Sequence, residues 1–245
     1  MKKRKNILFI LIIMFFSDPL YCQPLYNHPV IHTTNLYHII QKKLKNNDFK
    51  EVITIINNIK NKDIMYYYND KIQINLIYAY YKNSDFDIAQ EKIEIFKILH
   101  PQHKNIDYIL YLQSLIYIAL DNDVYFKYIP ITHNKRDPIY AIKAFFQLKN
   151  IILNYPHSRY LIDAKKHLIC LKNRLAMHEF NILKYYFSEK EYISVINRGE
   201  AIIKNYQDTL IARKTLLLLE QSYRALHYFN HAQKISQIIN LNKIF

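Results

Sequence analysis

A thiol near the start of the chain, Cys22, stands six residues after the apolar run Ile7–Phe16, itself preceded by the positive stretch Met1–Lys5. That order is the layout of an export signal, and a run of ten apolar residues is too short to span a bilayer. A cysteine just after such a run suits acylation of its thiol with palmitate-type chains. It would then become the lipid-bearing first residue of the mature chain. The surrounding residues fit loosely, because Pro19, Leu20 and Tyr21 stand where a leucine and a small residue are usual. A plain export signal or an uncleaved anchor stays open beside lipidation. Gln23 favours outer-membrane sorting if the thiol is acylated.

Other residue types give no catalytic constellation. Among the eleven histidines, His28, His32, His38 and the pair His100 and His103 lack a Cys or carboxylate at ligand spacing, and HExxH is absent. Neither a metal nor another cofactor is expected. No Ser-His-Asp or Cys-His arrangement follows from spacing. The chain has one glycine, which excludes the glycine-rich phosphate loops. Two cysteines are too few for a disulfide framework, and Cys170, within a helical pattern, is expected to be a small buried hydrophobe. These absences point away from an enzyme and toward a binding protein.

The formal net charge is +14, or +11 without residues 1–21, which hold four of the basic residues and Asp18. The lysines are spread along helices rather than stacked in a block, in a chain rich in Lys, Asn, Ile and Tyr. Compositional drift and solvated faces explain that better than a nucleic-acid site, so no nucleic-acid partner is expected.

The elements that hold these residues read as helices throughout. Gln73–Gln102 reads as a helix, a polar turn at Lys82–Asp85 with Ser84 or Asp85 as cap, a second helix, and a stop at Pro101. Ile88, Ala89, Ile93, Phe96 and Leu99 follow the i, i+3/i+4, i+7 spacing of one buried face. A helix pair with an early small residue and a terminal Pro is the tetratricopeptide unit. Further helices are predicted at 34–46, 49–60, 105–120 and from Pro138 to 154, then at 159–187, 190–205, 209–226 and 228–241. Asn105 or Asp107 and Asp137 are expected as caps, with Pro138 as the first helical residue. Asn154-Tyr-Pro-His-Ser158 is echoed 51 residues later by Asn205-Tyr-Gln-Asp-Thr209. The expected fold is all-α, a tetratricopeptide-repeat solenoid of about five helix pairs. The expected layout is a signal peptide at 1–21, a linker at 22–33 starting with the candidate lipidated Cys22, and a repeat domain at 34–245.

The strings QINLIYAYYKNSDFDIAQ, NIDYILYL, IALDND, KRDP, NYPHS, CLKNRLAMHEF and SVINR, in that order, closely resemble the BamD family. That family is the lipoprotein subunit of the bacterial outer-membrane β-barrel assembly machinery, and the resemblance covers about residues 34–240. It implies five tetratricopeptide repeats and a non-enzymatic role. It implies binding to the periplasmic domains of the barrel-forming subunit, to accessory lipoproteins and to unfolded outer-membrane proteins. The implied place is the periplasmic face of the outer membrane, held by a lipid anchor. Arg198 matches a family arginine implicated in contact with the barrel subunit, and Lys190 a basic position upstream. The repeat alignment puts Lys71, Ile74, Tyr78 and Tyr81, with Tyr37 and Gln41 from the first repeat, on a peptide-binding groove. Lys104 and Gly199 depart from the family pattern. Another envelope repeat adaptor, of pilus-assembly pilotin or cell-division coordinator type, is the second reading.

Overall fold

The computed structural model describes residues 30–59, 70–122 and 137–241, with side chains from residue 36. Cys22, the signal segment, Lys135 and Arg136 lie outside the described residues. Ten α-helices and no strand occur among the described residues. They are α1 (Val30–Lys45), α2 (Phe49–Asn57), α3 (Asp70–Lys82), α4 (Phe86–Leu99), α5 (Ile106–Asp121), α6 (Ile139–Asn154), α7 (Leu161–Ser188), α8 (Tyr192–Tyr206), α9 (Leu210–Ala225) and α10 (Phe229–Leu241). The chain divides into two units, 1–42 and 43–245. α1 starts at Val30, four residues ahead of the expected 34, because both linker prolines, Pro24 and Pro29, precede it.

Within the second unit each helix packs on the next, so the pairs α3/α4, α5/α6, α7/α8 and α9/α10 stack in order. Small residues permit the close approaches: Ala89, Ala141, Ala144, Ala164, Ala176 and Ala232 are fully buried. One core layer joins Leu110 of α5, Leu148 and Ile151 of α6, and Leu171 and Leu175 of α7. The next joins Phe180 and Leu183 of α7 to Val195 and Ile202 of α8 and Ile211 of α9. Each fully buried Leu, Ile or Phe contributes about 1.5–3 kcal/mol by leaving water. The 28-residue α7 therefore serves two layers, and its length stretches the NYPHS echo to 51 residues.

The turns inside the pairs share one device. Asn47, Ser84, Lys190 and His227 all sit at left-handed φ, between 62° and 67°. At each, the following N–H reaches back five residues: Asp48 to Lys43, Asp85 to Tyr80, Glu191 to Tyr186 and Tyr228 to Tyr223. This is the Schellman end, which normally takes glycine at the left-handed position. In a chain with a single glycine, other residues occupy it at a cost of about 1 kcal/mol each.

Several local expectations are corrected. Ser84 forms the left-handed turn rather than a cap; Asp85 is the N-cap residue of α4, but its carboxylate accepts from the Asn83 side-chain amide at 2.6 Å and makes no side-chain cap bond. Asn105 is the N-cap residue of α5 as expected, though without a side-chain cap bond, and Asp107 lies inside the helix. Pro138 is the N-cap of α6 rather than its first helical residue, so Asp137 falls one place too early. α8 begins at Tyr192, because the Lys190 turn takes the two residues before it. Cys170 is exposed rather than buried: the apolar stripe of α7 runs through Leu171 and Leu175 instead. Asp121 and Arg174 form an unanticipated buried ion pair between α5 and α7, at 3.4 Å. Gly199 lies buried in α8 where a Cβ would meet Leu219 Cδ2 at 2.7 Å, so its absent side chain is what lets α9 approach.

Candidate functional site

Two places in the second unit carry exposed recognition chemistry. The first is a row of tyrosines on α3, α5 and the turn before α7. Tyr78 and Tyr81 of α3 lie with their ring centroids 6.5 Å apart. Tyr78 also meets Phe49 of α2 edge-on at 6.0 Å, and Tyr81 meets Phe86 at 6.3 Å. Thirty residues on, α5 repeats the pattern with Tyr108 and Tyr111. Tyr160, just before α7, stacks on Tyr111 at 4.9 Å and lies 5.3 Å from Tyr108. Arg159 covers the Tyr160 ring at 5.0 Å, and its Nε donates to the Tyr160 hydroxyl at 2.8 Å. The Tyr111 hydroxyl donates to Asp163.

Burial, followed by the fields of Tyr160, Tyr78 and Tyr81, pushes the Tyr108 phenol well above its ordinary pKa. Burial and then the Asp163 carboxylate do the same to Tyr111. Tyr108 and Tyr111 thus stay protonated at neutral pH. Tyr78, Tyr81, Tyr108 and Tyr160 are half-buried and Tyr111 is buried at 7% exposure; phenol rings offer apolar contact and hydrogen bonding together, which suits an extended peptide with aromatic side chains.

The residues expected on this wall divide. Tyr78 and Tyr81 belong to the row, both half-buried. Lys71 is exposed at the start of α3, where its N–H binds Asp70 Oδ1 at 2.7 Å. Ile74, at 9% exposure, lies in the core rather than on an open wall, because α3 buries nearly its whole circumference. Tyr37 and Gln41 lie on α1 in the 1–42 unit, and Tyr37 meets His38 edge-on at 6.4 Å. Sequence reasoning missed Tyr108, Tyr111 and Tyr160. The recurrence of the Tyr-x-x-Tyr spacing at 78/81 and 108/111 was the signal for the first two.

The second place is a recess of about 360 Å³ lined by Glu179, Tyr186, Ser194, Asn197, Arg198 and Ala201. Arg198 Nη1 donates to Glu179 Oε2 at 2.5 Å, with both side chains one-third exposed. The guanidinium also lies 5.7 Å from the Tyr186 ring centroid. The fork is therefore held by the chain's own carboxylate and an aromatic face. It can still receive a second carboxylate on its remaining N–H groups. Lys190 is exposed in the α7/α8 turn, where its backbone sets the left-handed bend. A further recess, about 560 Å³, lies where the α4/α5 and α6/α7 turns meet, and includes Lys104. It is organised by hydrogen bonds from Ser158 to Asp107 at 2.6 Å and between His103 and Asp70 at 2.7 Å. None of these places assembles a nucleophile with a base and an oxyanion donor. Among the described residues no helix is long and apolar enough to cross a membrane.

Comparison with known proteins agrees with this architecture. A family model described as YfiO, outer membrane lipoprotein, matches residues 30–238. An outer membrane protein assembly factor BamD of Buchnera aphidicola is 47% identical over 245 residues, the whole of both chains. The BamD of Vibrio cholerae is 31% identical over 216 residues, 88% of this chain and 90% of that one. The BamD of Neisseria gonorrhoeae is 28% identical over 207 residues, 84% of this chain and 78% of that one. A match over this length, on stacked helix pairs with an arginine-lined recess, means that the chain belongs to the YfiO outer membrane lipoprotein family.

Proposed function

We propose that the chain is a non-enzymatic scaffold and substrate-recognition subunit of outer-membrane β-barrel protein assembly. The observation that carries this reading is end-to-end similarity to a chain named outer membrane protein assembly factor. The tyrosine row Tyr78, Tyr81, Tyr108, Tyr111 and Tyr160 is the seat for unfolded barrel segments, and Lys71 stands at its edge. Arg198 and Lys190 form the contact with the periplasmic domains of the barrel-forming subunit. Accessory lipoproteins are further partners of the stacked helices. Signal cleavage and acylation of Cys22 hold the chain at the periplasmic face of the outer membrane. A single acyl chain binds membrane only marginally, so the anchor needs the multi-chain modification.

Fluorescence anisotropy with a peptide ending in an aromatic residue, taken from a barrel strand, tests the groove. Tyr81→Ala and Tyr108→Ala should each weaken binding roughly 5- to 150-fold, as loss of about 1–3 kcal/mol of aromatic contact requires. Unchanged affinity in both would remove the groove assignment. Mass analysis of the mature N-terminus decides the anchor: an unmodified Cys22, or cleavage elsewhere, refutes it.

A further inference from the structure

α6 carries two apolar faces. The inner one, Ala141, Ala144, Leu148 and Ile151, is fully buried. The outer one is Ile139, Ile142, Phe146 and Leu153, exposed by 50%, 40%, 62% and 66%. At 3.6 residues per turn these four side chains fall within about 60° of one another, opposite the buried set. They run about 21 Å along the axis, at 1.5 Å per residue. Packing does not account for them, since the core is served by the other side.

The charges on this helix point one way. α6 contains no Asp or Glu, and its two ionic residues are Lys143 and Lys149. Helical phase puts one on each side of the stripe. Lys143 is further fixed, with Nζ 5.4 Å from the Tyr140 ring centroid and 5.8 Å from that of Tyr117. An apolar ridge flanked by a lysine on each side fits a helix lying in a lipid–water boundary.

We propose that the outer face of α6 rests on an anionic lipid surface, with Ile139, Ile142, Phe146 and Leu153 among the acyl chains and Lys143 and Lys149 against phosphates. Three observations favour lipid over a protein partner. The stripe is a ridge rather than a groove, and the recesses of about 560 and 360 Å³ lie elsewhere. Four side chains in one line are narrow against the roughly 800 Å² per partner of a stable protein interface, so a second copy is poorly held. The family is described as outer membrane lipoprotein, which keeps the folded chain beside a membrane. The face then fixes which side of the stacked helices meets the bilayer, something a single attachment point near the N-terminus does not do. This inference uses the family assignment and none of the partner contacts proposed above.

The chain has no tryptophan, so Phe146→Trp is a single fluorescent reporter at a site already open to solvent. The full-length protein is incubated with phosphatidylglycerol-containing vesicles carrying brominated acyl chains. Lys204→Trp, at an exposed position on α8, is the control. The expected result is a blue shift and severalfold stronger bromine quenching at position 146 than at position 204. Both effects should shrink on pure phosphatidylcholine, at high salt, and in a Phe146→Trp chain that also carries Ile142→Glu. Lys143→Gln with Lys149→Gln should weaken the insertion about 30-fold at low salt, from roughly 1 kcal/mol per lysine at an anionic surface. Equal quenching at both positions would overturn the proposal, since the anchor alone would then explain proximity. So would a reporter that stays water-exposed on bound vesicles. A blue shift that depends on protein concentration without vesicles would instead assign the face to a second copy, and one that appears only with the purified barrel subunit would assign it to that protein.

Discussion

Arg198→Ala separates a binding role from a structural one. In the folded chain the guanidinium holds Glu179 at 2.5 Å and lies 5.7 Å from the Tyr186 ring centroid. Both charged side chains are one-third exposed, so solvent screens the pair to about 0.2–1 kcal/mol. The ring contact adds about 0.5–1 kcal/mol at such exposure. The variant should therefore lose about 1 kcal/mol of stability, a fall of roughly 2–4 °C in Tm for a domain of this size. Against the periplasmic domains of the barrel subunit the same variant should lose about 2–5 kcal/mol if a buried carboxylate takes the fork. That is roughly a 30-fold or greater loss of affinity at 1.4 kcal/mol per factor of ten. Arg198→Glu should lose more, because it sets like charges together. Glu179→Gln should keep or improve affinity, since it releases the fork. Urea unfolding and calorimetric titration of the three variants give both numbers. Unchanged affinity in Arg198→Ala, or a stability loss above about 3 kcal/mol, would refute the reasoning and make Arg198 a purely internal tie.

Lys190→Gly keeps the left-handed turn and removes the ammonium, so stability should rise by about 1 kcal/mol in urea unfolding while affinity for the barrel subunit falls. A fall in stability would contradict the Schellman assignment. Gly199→Ala gains about 1 kcal/mol of helix propensity but sets a Cβ 2.7 Å from Leu219, whose overpacking costs about 1–3 kcal/mol. Thermal melts should show net destabilisation, and a more stable variant would mean α9 yields easily. Burial, then the hydrogen bond to Glu200, pushes the Tyr223 phenol up to about 12. Its folded pKa lies above the unfolded value of about 10, so this stability is complete below pH 10 and is lost as pH rises toward 12. Unfolding free energies from about pH 8 to about 11 should fall less steeply in Tyr223→Phe than in the parent.

The helix pairs were legible because their apolar spacing is local, and Ala89 with Pro101 marks one unit unaided. What the sequence hid depends on partners far along the chain. The left-handed turns at Ser84 and Lys190 were obscured because the usual glycine is absent. Cys170 reads as apolar in isolation, yet its turn of α7 faces solvent between Leu168 and Leu171. Ile74 aligned to the groove side of a generic repeat, but α3 buries most of its circumference, Ile74 included. The Arg198–Glu179 pair joins residues 19 apart on two helices, and no period along one helix reveals it. The tyrosine row was half visible: Tyr78 and Tyr81 followed from the repeat, while Tyr160 joins it from a turn 49 residues beyond Tyr111.

Affinity purification of the native chain from detergent-solubilised membranes, with its stoichiometric companions identified by mass spectrometry, tests the central claim most directly. The barrel-forming subunit of outer-membrane assembly should be among them, retained in parent protein and depleted with Arg198→Glu. Recovery of the chain alone, or with pilus or cell-division components in place of that subunit, would contradict it.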